Sequence, residues 1–88
     1  MKTCFTENGW ADYQHWIDTD REALAKLNEL IRDAQRTPFK GRGKPEPLKY
    51  GLKGWWSRRI TGEHRLVYQV VGTGESQTLV IAACRYHY

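Results

Sequence analysis

The sequence predicts an α+β fold in the order β-α-α-β-β-β, with an antiparallel sheet core and a pair of helices packed on one face. Three observations predict it. Apolar residues recur at helical spacing between residues 10 and 34, β-rich runs dominate residues 55 to 86, and a segment holding all three prolines separates the two halves. At 88 residues the expectation is one domain spanning the whole chain, residues 1–88. A chain of that size buries only about 60% of its unfolded surface, so its core is small. Four Trp and five Tyr enlarge it, because each ring buries a large area and carries a polar tip that can reach water.

Each element has its own signal. "KTCFT", residues 2–6, alternates and is rich enough in β-formers for a short first strand. Trp10, Tyr13, Trp16 and Ile17 then share one helical face, with Asp12, Gln14 and Asp18 on the other. Thr19 followed by Glu22 has the spacing of a capping box and predicts the start of a second helix. That helix carries Leu24, Leu27, Ile31 and Ala34 as an apolar stripe widened by Leu30, and Thr37-Pro38 ends it. Residues 38–54, "PFKGRGKPEPLKYGLKG", predict a long irregular loop, and loops of that length tend to carry function. Three strands follow in "WWSRRIT", "HRLVYQVV" and "TLVIAACRY". The last is apolar on both parities through Ala83, which predicts a place at the sheet centre.

Charge and cysteines narrow the class. Residues 1–39 carry five Lys/Arg and seven Asp/Glu, residues 40–65 carry eight and two, and residues 66–88 carry one and one. The net charge of +4 is therefore concentrated as +6 in the middle segment, a field aimed at a polyanion. No stretch approaches the roughly 20 apolar residues of a membrane span, and "MKTCFTENGW" lacks the apolar core of a signal peptide, so the expected location is cytoplasmic and no membrane partner is expected. Cys4 and Cys84 lie in apolar runs and are expected to be small buried thiols rather than a disulfide, with no ligand set for a metal and no cofactor.

Cleavage of RNA through the 2′-hydroxyl needs a base for that hydroxyl, an acid for the leaving 5′-oxygen, and cations for the phosphorus oxygens. The sequence offers Glu46 as the base, His87 as the acid, and Lys49, Arg58, Arg59 and Arg65 as cations. Glu46 sits between Pro45 and Pro47 on a backbone with little freedom, although it could equally be a solubilising carboxylate in a basic loop. Arg59 and Arg65 flank a short connection. A two-residue turn at Gly62-Glu63 would pair Ile60 with Arg65 and send the two arginines to opposite faces, whereas a three-residue loop or a bulge would put them on one face. His15 and His64 are expected to be structural or merely exposed. Trp55, Trp56 and the tyrosines could stack on bases, while Trp10, Trp16 and Tyr68 are expected in the core.

"GKPEPLKY", "WSRRIT", "EHRLVY" and "ACRYHY", with the helical "NELIRD" and "RTPF", resemble the Txe/YoeB toxins of the RelE superfamily over essentially the whole chain. The resemblance implies a RelE-like fold, similar to compact microbial ribonucleases, and a ribosome-dependent mRNA endonuclease that acts in the ribosomal A site without a metal. It implies a cognate antitoxin, the bacterial ribosome and mRNA as partners, and a homodimer is compatible with it. Matched position by position, Glu46 takes the place of the general base, Arg65 with Lys49 and Arg59 that of the phosphate-stabilising cations, His87 that of the general acid, and Tyr88 that of the terminal tyrosine. The chain departs from the family at Gly62, where an acidic residue is common, and in a longer "GTGESQT" segment. Two other functions compete with this one: an RNA-binding module without catalysis, and a toxin of the same fold that acts on another target such as a topoisomerase.

Overall fold

The computed structural model describes residues 1–86. Its elements are β1 (Lys2–Phe5), α1 (Glu7–Thr19), α2 (Arg21–Arg36), β2 (Glu46–Pro47), β3 (Trp55–Arg59), β4 (Arg65–Val71) and β5 (Thr78–Ala83), with one 3₁₀ turn at Gly74–Ser76. The five strands form one sheet in the order β1-β5-β4-β3-β2. The α+β expectation holds, with two differences. The long loop contains a short strand, β2, paired antiparallel to β3, and β1 runs parallel to β5, so the sheet is mixed rather than wholly antiparallel. Apolar alternation signals a strand and says nothing of its direction. β5 is interior, flanked by β1 and β4, although the central strand is β4.

Both helices cover one sheet face. Leu27, Leu30, Ile31 and Ala34 of α2 join Trp16 of α1, Leu66 and Tyr68 of β4, and Leu79 and Ile81 of β5 in a single buried cluster. Gly9 brings α1 close to the sheet: a Cβ there would lie 2.3 Å from the Ile81 carbonyl oxygen, so only glycine allows that approach. Trp10 departs from the expected core and is 47% exposed, stacked on Tyr13 and edge-on to Phe5. Cys4 is exposed rather than buried, while Cys84 is buried and both are free thiols. Burial, together with the charge of Asp12, pushes the Cys84 thiol up to about 12, which leaves it inert.

The helix junction also differs from its sequence reading. Asp20, not Thr19, caps α2, its Oδ1 accepting the backbone N–H groups of Glu22 and Ala23 at 3.1 Å each. Thr19 is the last residue of α1, and its hydroxyl donates back to the His15 carbonyl at 2.7 Å. Two adjacent residues each had a capping side chain. α1 simply runs one residue further than the Thr19–Glu22 spacing implies.

Candidate active site

The open face of the sheet, opposite the helices, gathers the residues of the basic segment. Glu46 pairs with Ser57, Ser57 with Val67, and Arg59 with Arg65. Because strand neighbours alternate between faces, Glu46, Ser57, Arg59 and Arg65 all project to the same side. The direct Arg59–Arg65 pairing decides between the two geometries left open by sequence. The connection is the five-residue loop 60–64, in which the Ile60 and Thr61 N–H groups both donate to the His64 carbonyl and the Thr61 hydroxyl accepts from Glu63 and His64. Like charges directly opposite each other on a sheet repel, and an anion between them relieves that repulsion.

Glu46, Leu48, Ser57 and Arg65 line a cavity of about 130 Å³. Glu46 and Arg65 share it without an ion pair. Among the described residues the ion pairs fall elsewhere, on Asp33 and Glu29. An unpaired carboxylate beside a guanidinium leaves the carboxylate able to take a proton and the guanidinium able to hold an anion. Larger hollows of about 260 and 400 Å³ lie around the end of α2, lined by residues 29–42, away from this face. Lys49 is exposed in the loop after β2 and does not line the cavity. His87 and Tyr88 lie outside the described residues. Among the described residues no group of three or more His, Cys, Asp or Glu is arranged to hold a metal ion.

The chain leading to His87 is nevertheless held firmly. Trp16 donates its indole N–H to the Cys84 carbonyl at 2.8 Å, and the Cys84 N–H donates to Asp12 at 3.0 Å. Thr6 and Asn8 both donate to the Ala82 carbonyl. Tyr86 then turns with φ +63°, its N–H donating to His64 Nδ1 at 2.8 Å while its carbonyl accepts the Arg65 N–H at 2.8 Å. The chain is thereby tied to the backbone of Arg65 itself. His64, packed edge-on against Trp16 at 4.7 Å, has the structural role expected of it, and His15 packs edge-on against the same ring.

Arg58 requires a correction. It is fully buried beneath the sheet and belongs to no anion site on the open face. Its guanidinium donates to Asp33 at 2.6 Å, to the Tyr68 hydroxyl at 2.9 Å, and to the carbonyls of Thr37, Lys40 and Arg42. Asp33 also accepts the Arg42 backbone N–H at 2.9 Å. That bond above all, then the Arg58 and Arg36 guanidiniums, holds the Asp33 carboxyl down at about 2 against the opposing effect of burial. The hub pins residues 37–42 to the sheet. Sequence reasoning named Arg58 as a cation and missed Asp33 as its partner, since nothing in "WSRRIT" marks which arginine turns inward. The available signal was parity: Arg58 is two residues from Trp56 and Ile60, both apolar.

A two-helix layer on a mixed five-stranded sheet is the fold of the small RelE-type toxins of bacterial toxin–antitoxin systems, and it is shared with the RelBE2 toxin–antitoxin complex of Mycobacterium tuberculosis at a TM-score of 0.72 and 26% identity, over 98% of this chain and 96% of that one. Within that class the chain belongs to the YoeB-like toxin family of bacterial type II toxin–antitoxin systems, whose family model matches residues 5–88. It is 58% identical to Toxin YoeB of Escherichia coli K12 over 88 residues, 100% of both chains. A YoeB/ParE toxin structure from Agrobacterium tumefaciens superposes with a TM-score of 0.95 at 55% identity, covering 100% of both chains. A heterotetrameric YoeB-YefM toxin–antitoxin complex from Staphylococcus aureus contains a similar chain, with a TM-score of 0.87 at 39% identity over 100% of this chain and 98% of that one.

Proposed function

We propose that this toxin is an mRNA endonuclease that works in the ribosomal A site in the cytoplasm, by attack of a ribose 2′-hydroxyl on the adjacent phosphate. The observation that carries this reading is the shared cavity of Glu46 and Arg65, with Arg59 directly across the ladder from Arg65. Glu46 takes the 2′-hydroxyl proton. Arg65, assisted by Arg59 and by Lys49 from the neighbouring loop, stabilises the charge that develops on the phosphorus oxygens. His87 gives a proton to the leaving 5′-oxygen and Tyr88 steadies the substrate beside it. The anchoring of Tyr86 to the Arg65 backbone supports this assignment, because His87 follows it directly. A pure RNA binder gains nothing from a carboxylate facing phosphate.

So shallow a site grips RNA weakly, and the ribosome supplies the missing positioning by holding the strand bent for in-line attack. The cognate partner is an acidic, flexible antitoxin drawn to the +6 segment, in keeping with the YefM complex of the Staphylococcus aureus relative. A second copy of the chain is a further partner, in keeping with a YoeB dimer from the same species. The test is cleavage of mRNA in programmed ribosomes against the same mRNA free in solution, with Glu46→Gln alongside. Cleavage is expected only on the ribosome, and Glu46→Gln is expected to bind ribosomes normally while losing cleavage. Equal rates on naked RNA, or full activity in Glu46→Gln, would overturn the mechanism.

A further inference from the structure

The open face holds one more row of side chains that the catalytic reading does not use. Along β3 the residues on this face are Trp55, Ser57 and Arg59, and across the ladder they face Gln69, Val67 and Arg65. On the β2 side Glu46 faces Ser57, and the Leu48 N–H donates to the Trp55 carbonyl at 2.9 Å, which places Leu48 beside Trp55. Three rows result: the arginine pair, then Glu46 with Ser57, then Leu48, Trp55 and Gln69. Successive rows are about 7 Å apart, the rise of two strand residues.

Trp55 stands apart from the other three tryptophans. Trp16 is in the core cluster, Trp56 packs against that cluster and on Phe39, and Trp10 stacks on Tyr13. Trp55 is only half-buried, lies outside the cluster, and has no aromatic partner among the described residues. Gln69, its cross-strand neighbour, makes no side-chain hydrogen bond among the described residues and lies against Gly54. An indole face beside an unused amide, on a surface that also carries cations, has the composition of a nucleobase site: the ring stacks and the amide meets the base edge.

We propose that Trp55 and Gln69 form a nucleobase subsite for single-stranded RNA, which seats the base of the nucleotide whose 2′-hydroxyl attacks. The order of the rows supports this assignment, which rests on the cleavage reading above. In that nucleotide the 3′-phosphate, the 2′-hydroxyl and the base follow one another across the sugar. The rows follow the same sequence, with arginines for the phosphate, Glu46 for the hydroxyl, and Trp55 with Gln69 for the base. Stacking fixes the sugar so that its hydroxyl meets Glu46, and the Gln69 amide adds a preference among bases.

The test pairs loss of the ring with loss of the base. Programmed ribosomes are given mRNA that is either intact or abasic at the nucleotide on the 5′ side of the cut, which keeps its 2′-hydroxyl. Trp55→Ala is expected to lower kcat/KM on intact mRNA by about tenfold to a hundredfold, the parent to fall by a similar factor on abasic mRNA, and Trp55→Ala to lose nothing further there. Trp55→Phe keeps most of the activity, and matching melting temperatures exclude misfolding. A second arm is independent of cleavage: the indole N–H signal of Trp55, assigned by its absence from Trp55→Phe, shifts on adding an uncleavable 2′-deoxy-substituted RNA hexamer and not its abasic counterpart. Equal losses from the abasic site in the parent and in Trp55→Ala, or an indole signal indifferent to the base, overturns the subsite. An indole that responds while the parent cleaves nothing overturns the catalytic reading and leaves the base site standing.

Discussion

Arg58 and Arg59 are consecutive in the chain and chemically identical, yet they do opposite things. Arg58 points beneath the sheet, is fully buried, and spends its guanidinium on Asp33, Tyr68 and three loop carbonyls. Arg59 points to the open face, exposed, opposite Arg65 and with no ion pair among the described residues. The pleat alone separates them. One side of β3 is a satisfied polar hub that holds residues 37–42 in place, and the other carries two arginines directly opposite each other, neither in an ion pair among the described residues. A buried ion pair is costly to break because the survivor is left uncompensated, whereas an exposed cation can be removed with little effect on folding.

That contrast can be tested by substitution. The largest effect is expected for Arg58→Ala, which takes the buried guanidinium from Asp33, the Tyr68 hydroxyl and three carbonyls and should cost about 3–5 kcal/mol of stability, enough to prevent folding of a small protein. Chemical denaturation of the purified variant measures it. Arg58→Ala with near-parental stability would mean that the hub is idle. On the other face Arg65→Ala should leave the unfolding midpoint nearly unchanged and lower cleavage on the ribosome by on the order of 10²-fold or more, as for loss of one preorganised donor. Cleavage at the parental rate would remove Arg65 from the site.

An intermediate effect comes from pH. Asp33 titrates at about 2 in the folded protein and near 3.8 when unpaired. A depressed carboxylate stabilises the fold above its unfolded value, and that stability is lost as pH falls from about 4 through 2. The loss should reach about 2 kcal/mol in urea titrations across that window. It should be absent in Asp33→Asn, which is less stable to begin with. The smallest effect is expected for Arg59→Ala, a cation outside the cavity. Cleavage should fall by about tenfold, a gap that narrows as salt rises, because exposed charges are screened. A loss as large as that for Arg65→Ala, independent of salt, would place Arg59 against the reacting phosphate.

Much of this was legible in advance. The apolar stripe of α2 has one period and one place to go, and Leu27, Leu30, Ile31 and Ala34 are buried as their spacing predicts. The runs of β3, β4 and β5 were equally plain. β2 was not, because two residues, one of them a proline, carry no period, and it exists only as the partner of Ser57 and Trp56. Trp10 shows the opposite failure: an apolar residue on the correct helical face that packs against Phe5 and Tyr13 outside the buried cluster and stays half-exposed.

For the candidate site the sequence by itself determined the inventory. A carboxylate between two prolines, a +6 segment around it and arginines on adjoining strands are facts of composition and order. Which of those groups could meet was decided only by tertiary structure. The length of the 60–64 loop set the register, the register put Arg59 opposite Arg65, and the pairing of β2 with β3 carried Glu46 to the same face. The physical reason is the two-residue period of a strand: a slip of one residue would have buried Arg59, exposed Arg58, and exchanged the hub for the site.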